Sequence, residues 1–97
     1  MIVKGQPNAG EPGRTLYELG GFRATVTHFV VRETSPANPF GPHAHAQTEL
    51  WYMVEGEALF LSGGSETPVA AGDLITIEPH LEHGLRTDSR AVWICLG

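Results

Sequence analysis

Apolar residues in this 97-residue chain hold no helical period. They come in short or alternating runs, broken by Gly, Pro, Ser, Asn or Asp about every eight to twelve residues, the spacing of a many-stranded antiparallel sandwich or barrel. The pattern predicts an all-β domain with little or no helix. Two strands are expected over Arg14–Leu19 and Phe22–Arg32, around Gly20-Gly21. Others are expected over Glu49–Val54, Ala58–Leu61, Leu74–Ile77, His83–Thr87 and Ala91–Leu96. Gly56 is read as a tight turn between the Glu49 and Ala58 strands, Gly63-Gly64 as the next turn, and Pro79 as a stop. About eight strands suit a small closed barrel, and closure removes the edges at which sheets aggregate.

The length allows one domain, residues 1–97, with an N-terminal arm over 1–14 and a barrel over 15–96. A chain this size buries only about 60 to 65% of its unfolded surface, so a second copy would add stability. Phe29, Val31 and Tyr52 fall at outward strand positions, where a homodimer would bury them. The formal charge of −5 and the pI near 5.4 come with no basic stretch, which argues against a nucleic-acid partner. The single cysteine, Cys95, permits no intrachain disulfide and reads as a small buried or interfacial hydrophobe. The N-terminus carries no long apolar run or cleavage-like site, so a soluble, cytoplasmic chain without membrane contact is expected. Residues 5–13 and 34–42 read as loops; Pro36, Pro39 and Pro42 stiffen the second.

That second loop runs into Pro42-His43-Ala44-His45, and Glu49 follows after three more residues. In a strand, residues i and i+2 share a face, so His43 and His45 would project together into one interior. With His83 they offer three imidazoles and one carboxylate, a shell for one divalent transition metal per chain with positions left open. Iron, manganese, nickel, zinc, cobalt and copper all accept such donors. Water, dioxygen or a small substrate could take the open positions, and the metal could serve as Lewis acid or oxygen activator. Trp51 and Met53 share the parity of Glu49; Leu85 and Thr87 share that of His83. These four, with Phe40 at the mouth, are the candidate substrate pocket. His80, in the loop before His83, is open to three roles: solvent contact at the rim, substrate positioning, or general acid–base catalysis. Arg86 has the outward parity of a surface ion pair. His28 reads as an ordinary core or surface histidine.

The His-X-His pair, Glu49 and Gly56, followed by Gly72, Pro79 and His83, resemble the two motifs of the cupins. Three positions depart from that pattern. Gly41 lies closer to His43 than the leading glycine usually does, His80 stands where glycine is usual, and Thr87 stands near a common asparagine. The resemblance spans roughly residues 15 to 96. It implies a small jelly-roll barrel, or double-stranded β-helix, with His43, His45, Glu49 and His83 as metal ligands, and often a homodimer. Cupins span dioxygenases, isomerases, epimerases, lyases, decarboxylases, binding modules and storage proteins, so the fold leaves the reaction open. The leading expectation is a metal-dependent enzyme of oxygenase, isomerase or lyase type acting on a small molecule. A non-catalytic binding or sensing module and a structural or accessory barrel are the alternatives.

Overall fold

A computed structural model describes all residues, Met1–Gly97. Nine strands run in chain order: β1 (Gln6–Pro7), β2 (Arg14–Leu16), β3 (Phe29–Thr34), β4 (Phe40–His43), β5 (Glu49–Ser62), β6 (Ser65–Ala70), β7 (Leu74–Ile77), β8 (His83–Arg86) and β9 (Ala91–Leu96). All pairings are antiparallel. The path β1-β2-β3-β9-β5-β8-β4 curls round, with β6 and β7 also paired to β5. The result is the expected small cupin-like β-barrel with almost no helix. No helix is long and apolar enough to cross a membrane.

Three local readings are corrected. The residues expected to split around a turn at Gly56 form one 14-residue strand, β5. Its first half pairs with β9 and β7, its second half with β6 and β8, so a single strand joins both sides of the barrel. Gly56 is a bend inside it: the register shifts between Met53 and Glu55, and Gly56 takes φ +87°. Second, Gly20–Ala24 forms a short 3-10 helix, and strand β3 begins only at Phe29. Gly20, at φ +57°, lets the chain turn at that point; Val26 donates back to the Phe22 carbonyl, and Thr27 and His28 close against Gly97, just past β9. Third, Ser65–Ala70 is a strand that its polar composition hid. It follows the Gly63-Gly64 turn, both glycines at positive φ, in a two-residue hairpin.

Inward residues of β3, β5, β7, β8 and β9 make the core: Val30, Trp51, Met53, Ala58, Ile77, Leu85, Ala91, Trp93 and Cys95. The Trp51 and Trp93 rings lie 4.2 Å apart, and Phe40 meets both edge-on at 5.3 and 5.1 Å. A buried indole needs an acceptor for its N–H. Trp93 donates to Thr34 Oγ1 at 3.0 Å, and Trp51 donates to Glu49 Oε1 at 3.1 Å. The outward face is apolar as well. Register aligns Val31, Ile94, Tyr52 and Leu74 across four strands, and Leu50, Tyr52, Val54 and Leu74 are exposed.

At Gly56 an added Cβ would collide with the Arg90 carbonyl oxygen, whereas at Gly64, also at positive φ, it would meet nothing. Gly56→Ala is therefore expected to cost about 2–4 kcal/mol and Gly64→Ala only about 1 kcal/mol, compared by urea denaturation midpoints.

Candidate metal centre

β4 ends at His43, so this side chain projects from the last residue of a strand, and His45 follows in the connection to β5. Glu49 opens β5 and His83 opens β8, which pairs with β4 so that His43 and His83 lie directly opposite. The three rings converge: centroids are 4.4 Å apart for His43–His83, 4.7 Å for His45–His83 and 5.5 Å for His43–His45. One ligating nitrogen from each lies within 4.8 Å of the others. Glu49 Oε1 stands 3.4 Å from His45 Nε2 and 3.9 Å from His83 Nε2. His43, His45 and His83 thus converge, while Glu49 stands beside His45 and His83 and its ligating oxygen groups with His28 and Cys95.

The hydrogen bonds define which nitrogen two of the three rings offer. His83 Nδ1 faces the Leu81 carbonyl at 2.6 Å, and His43 Nδ1 faces the Gly41 carbonyl at 3.2 Å. A carbonyl only accepts, so Nδ1 carries the proton in both neutral rings, leaving the Nε2 lone pair free. His83 Nε2 and both nitrogens of His45 are buried and have no hydrogen-bond partner. Buried polar atoms left without partners are rare, and the Nε2 atoms of His45 and His83 both lie near Glu49 Oε1. A divalent cation is the group that such lone pairs fit, and backbone-anchored Nδ1 atoms are how proteins orient ligating imidazoles.

Burial by itself raises the Glu49 carboxyl pKa, but the Trp51 N–H and the nearby His45, Cys95 and His28 outweigh it and bring it below the usual carboxylate value. For His83, burial is the largest influence and holds the imidazole below its ordinary 6.5; His43 and His45 add to this, while the Leu81 carbonyl and Glu49 oppose it. Burial also pushes the Cys95 thiol up to about 12, with Glu49 contributing.

The other sequence candidates fall in several places. Trp51, Met53 and Leu85 are fully buried in the core. Phe40 stacks on His43 at 4.8 Å and lines a cleft of about 340 Å³ with His43, Arg32, Thr34 and Asn38. Thr87 accepts from the Ser89 N–H, donates to the Glu57 carbonyl, and lines a larger cleft of about 490 Å³ that holds no histidine. His80 is exposed and is the one non-glycine residue at positive φ, +64°, a conformation glycine favours. Its backbone N–H donates to the His45 carbonyl at 2.6 Å and so ties the two ligand-bearing loops together. Arg86 pairs with Glu66 on the surface.

His28, an ordinary histidine by sequence, has its Nε2 3.3 Å from Glu49 Oε2 and 3.5 Å from Cys95 Sγ. The signal available in the sequence was parity: His28 alternates with Val30 and Thr34, both buried in β3.

Residues 24–97 match the cupin domain family Cupin_2, and the chain belongs to that family. Solved structures with the same fold include a predicted oxalate decarboxylase from Thermotoga maritima, at 19% identity and TM-score 0.75, covering 99% of this chain and 96% of that one. An RmlC-like cupin from Shewanella frigidimarina matches at 24% identity and TM-score 0.75, covering 97% and 81%. The polyketide cyclase RemF from Streptomyces resistomycificus matches at 21% identity and TM-score 0.72, covering 97% and 72%. No curated protein is detectably similar in sequence.

The two lowered pKa values act on stability with one sign. A group whose folded pKa lies below its unfolded value takes up protons more readily when unfolded, so stability falls as pH falls. For His83 the stabilisation is present above its ordinary 6.5 and is lost below it; Glu49 contributes a similar loss only beneath its ordinary 4.5. Chelator-treated protein is expected to melt at progressively lower temperature between about pH 7.5 and 5.5, and His83→Gln to flatten that slope.

Proposed function

We propose that this chain is a mononuclear metal-dependent enzyme acting on a small polar molecule, of oxygenase, isomerase or lyase type. The observation that carries the reading is the convergence of unpartnered imidazole nitrogens of His45 and His83, with His43, around Glu49, beside a cleft that His43 lines. His43, His45 and His83 would hold a divalent transition metal with Glu49. When bound, the metal supplies Lewis acidity or, if redox-active, oxygen activation.

The chain's own residues define how a substrate reaches that place. The cleft of about 340 Å³ is at the small end of ligand sites, and its lining is mostly polar. Arg32 is held over the Phe40 ring at 4.6 Å and is paired with Glu11, giving the cleft a fixed cation and a fixed anion. Phe40 braces His43 from behind. Trp51 and Trp93 fill the interior, so the substrate approaches from the His43 side. The same fold is found in a predicted oxalate decarboxylase and a polyketide cyclase, which supports an enzyme reading.

Elemental analysis of protein purified without a metal-affinity tag is expected to find near one transition metal per chain. His83→Ala and Glu49→Ala are each expected to weaken metal binding by at least about 10-fold to 100-fold, and His80→Ala to leave it nearly unchanged. Equal losses in His80→Ala and His83→Ala would overturn the ligand assignment. Full metal loading with no turnover in an oxygen-uptake and small-molecule screen would move the reading to a binding module.

We also propose that the chain pairs with a second copy through the outward row Val31, Ile94, Tyr52 and Leu74, since a face this apolar on a small domain is costly to leave in water. Sedimentation equilibrium is expected to show a dimer that Tyr52→Glu with Leu74→Glu converts to monomer; a monomeric parent protein would refute it.

A further inference from the structure

The mononuclear reading leaves two chemically able groups unused: the His28 imidazole and the Cys95 thiol. Cross-strand register brings them to Glu49. Cys95 pairs with Val30 on one side and Trp51 on the other, and His28 exchanges backbone hydrogen bonds with Gly97 at the end of the same ladder. The ligating atoms of His28, Glu49 and Cys95 all lie within 4.8 Å of one another.

Two observations point to a cation among them. The first is spacing. His28 Nε2 lies 3.3 Å from Glu49 Oε2 and 3.5 Å from Cys95 Sγ. A tetrahedral zinc ion separates nitrogen and oxygen donors by about 3.4 Å, and nitrogen and sulfur donors by about 3.6 Å. The second is the tautomer of His28. The Thr27 hydroxyl donates its one hydrogen to the Gly97 carbonyl, so toward His28 Nδ1, 3.4 Å away, it can only accept. With the ring neutral, its proton then sits on Nδ1 and the Nε2 lone pair faces the carboxylate oxygen Oε2. Two lone pairs at that distance repel unless a proton or a metal ion lies between them, and the Cys95 sulfur, 3.5 Å from the same nitrogen, supplies the third donor that a metal ion uses and a proton does not.

We propose that His28, Glu49 and Cys95 form a second site, for a thiophilic divalent cation of the zinc class, that shares the Glu49 carboxylate with the three-imidazole centre. Glu49 divides its oxygens accordingly: Oε1 faces Trp51, His45 and His83, and Oε2 faces His28. The proposal rests on the mononuclear reading only for this bridging role. The cation enters past His28, whose side chain is 29% exposed, because Cys95 itself is 7% exposed. Binding releases the thiol proton to solvent, and the resulting thiolate is the soft ligand that favours zinc-class ions over harder ones.

Cobalt(II) titration of the chelator-treated full chain separates the two sites, because only the second contains sulfur. The expected result is two cobalt ions per chain and a thiolate-to-cobalt charge-transfer band. His28→Ala, at a partly buried position outside the core, and Cys95→Ala should each lose the band and one cobalt. The double variant His43→Ala/His45→Ala should keep the band while losing the other ion. One cobalt per chain with no charge-transfer band would overturn the second site and leave the first standing, with His28 then only a hydrogen-bonded neighbour of Glu49. A band that survives Cys95→Ala would overturn it too. No cobalt bound at all would overturn both sites.

Discussion

The Trp51 side chain packs on Trp93 at 4.2 Å and donates its N–H to Glu49 at 3.1 Å, so one residue belongs to both the core and the site. A buried indole needs an acceptor, and a partly buried carboxylate needs donors. Each meets the other's requirement. The hydrogen bond spends Trp51's one donor on Oε1, which lies near His45 and His83, and leaves Oε2 to His28. The position of the carboxylate is therefore an outcome of core packing: whatever holds the two indoles in place also holds the centre of the site.

Strand β5 extends that control across the molecule. Because it runs unbroken from Glu49 to Ser62, its first half carries Glu49 and Trp51 in the ladder with β9, and its second half pairs with β8, which carries His83. The bend at Gly56 lets one strand serve both sides, at a place where a Cβ would strike the Arg90 carbonyl. His43 reaches the same centre from β4 through its pairing with His83. His45 is held by the backbone bond from His80, the residue whose left-handed conformation turns the β7–β8 connection toward the site. Two loops and three strands thus fix four side chains without any of them needing a helix.

Several parts of this arrangement were legible before any coordinates. Alternation of small runs with turn residues marked strands at Leu74–Ile77 and Ala91–Leu96 to the residue, because both begin and end at strong punctuation. The spacing of His43, His45 and Glu49 marked neighbouring donors through local parity, and the resemblance to the second motif added His83, 34 positions further on. The continuity of β5 was hidden: a glycine inside a strand looks like a glycine in a turn until its cross-strand partners are known. β6 was hidden because an exposed strand needs no apolar alternation. Trp51, Met53 and Leu85 were correctly read as inward, but parity alone does not say whether an inward side chain lines a cavity or fills one.

Sequence alone determined the fold class, the family and the set of residues around Glu49 that are near each other in the two motifs. The fold class follows from periodicity, and the family and the donor set from the resemblance of two motifs, which the chain carries locally. Only the tertiary structure decided that His28 and Cys95, 67 positions apart, meet at the same carboxylate, and that the imidazole nitrogens of His45 and His83 stay buried without partners. Those facts depend on strand register between β3, β5 and β9, and register is set by the packing of the whole barrel, chiefly by two indoles that must bury their rings and satisfy their N–H groups at once.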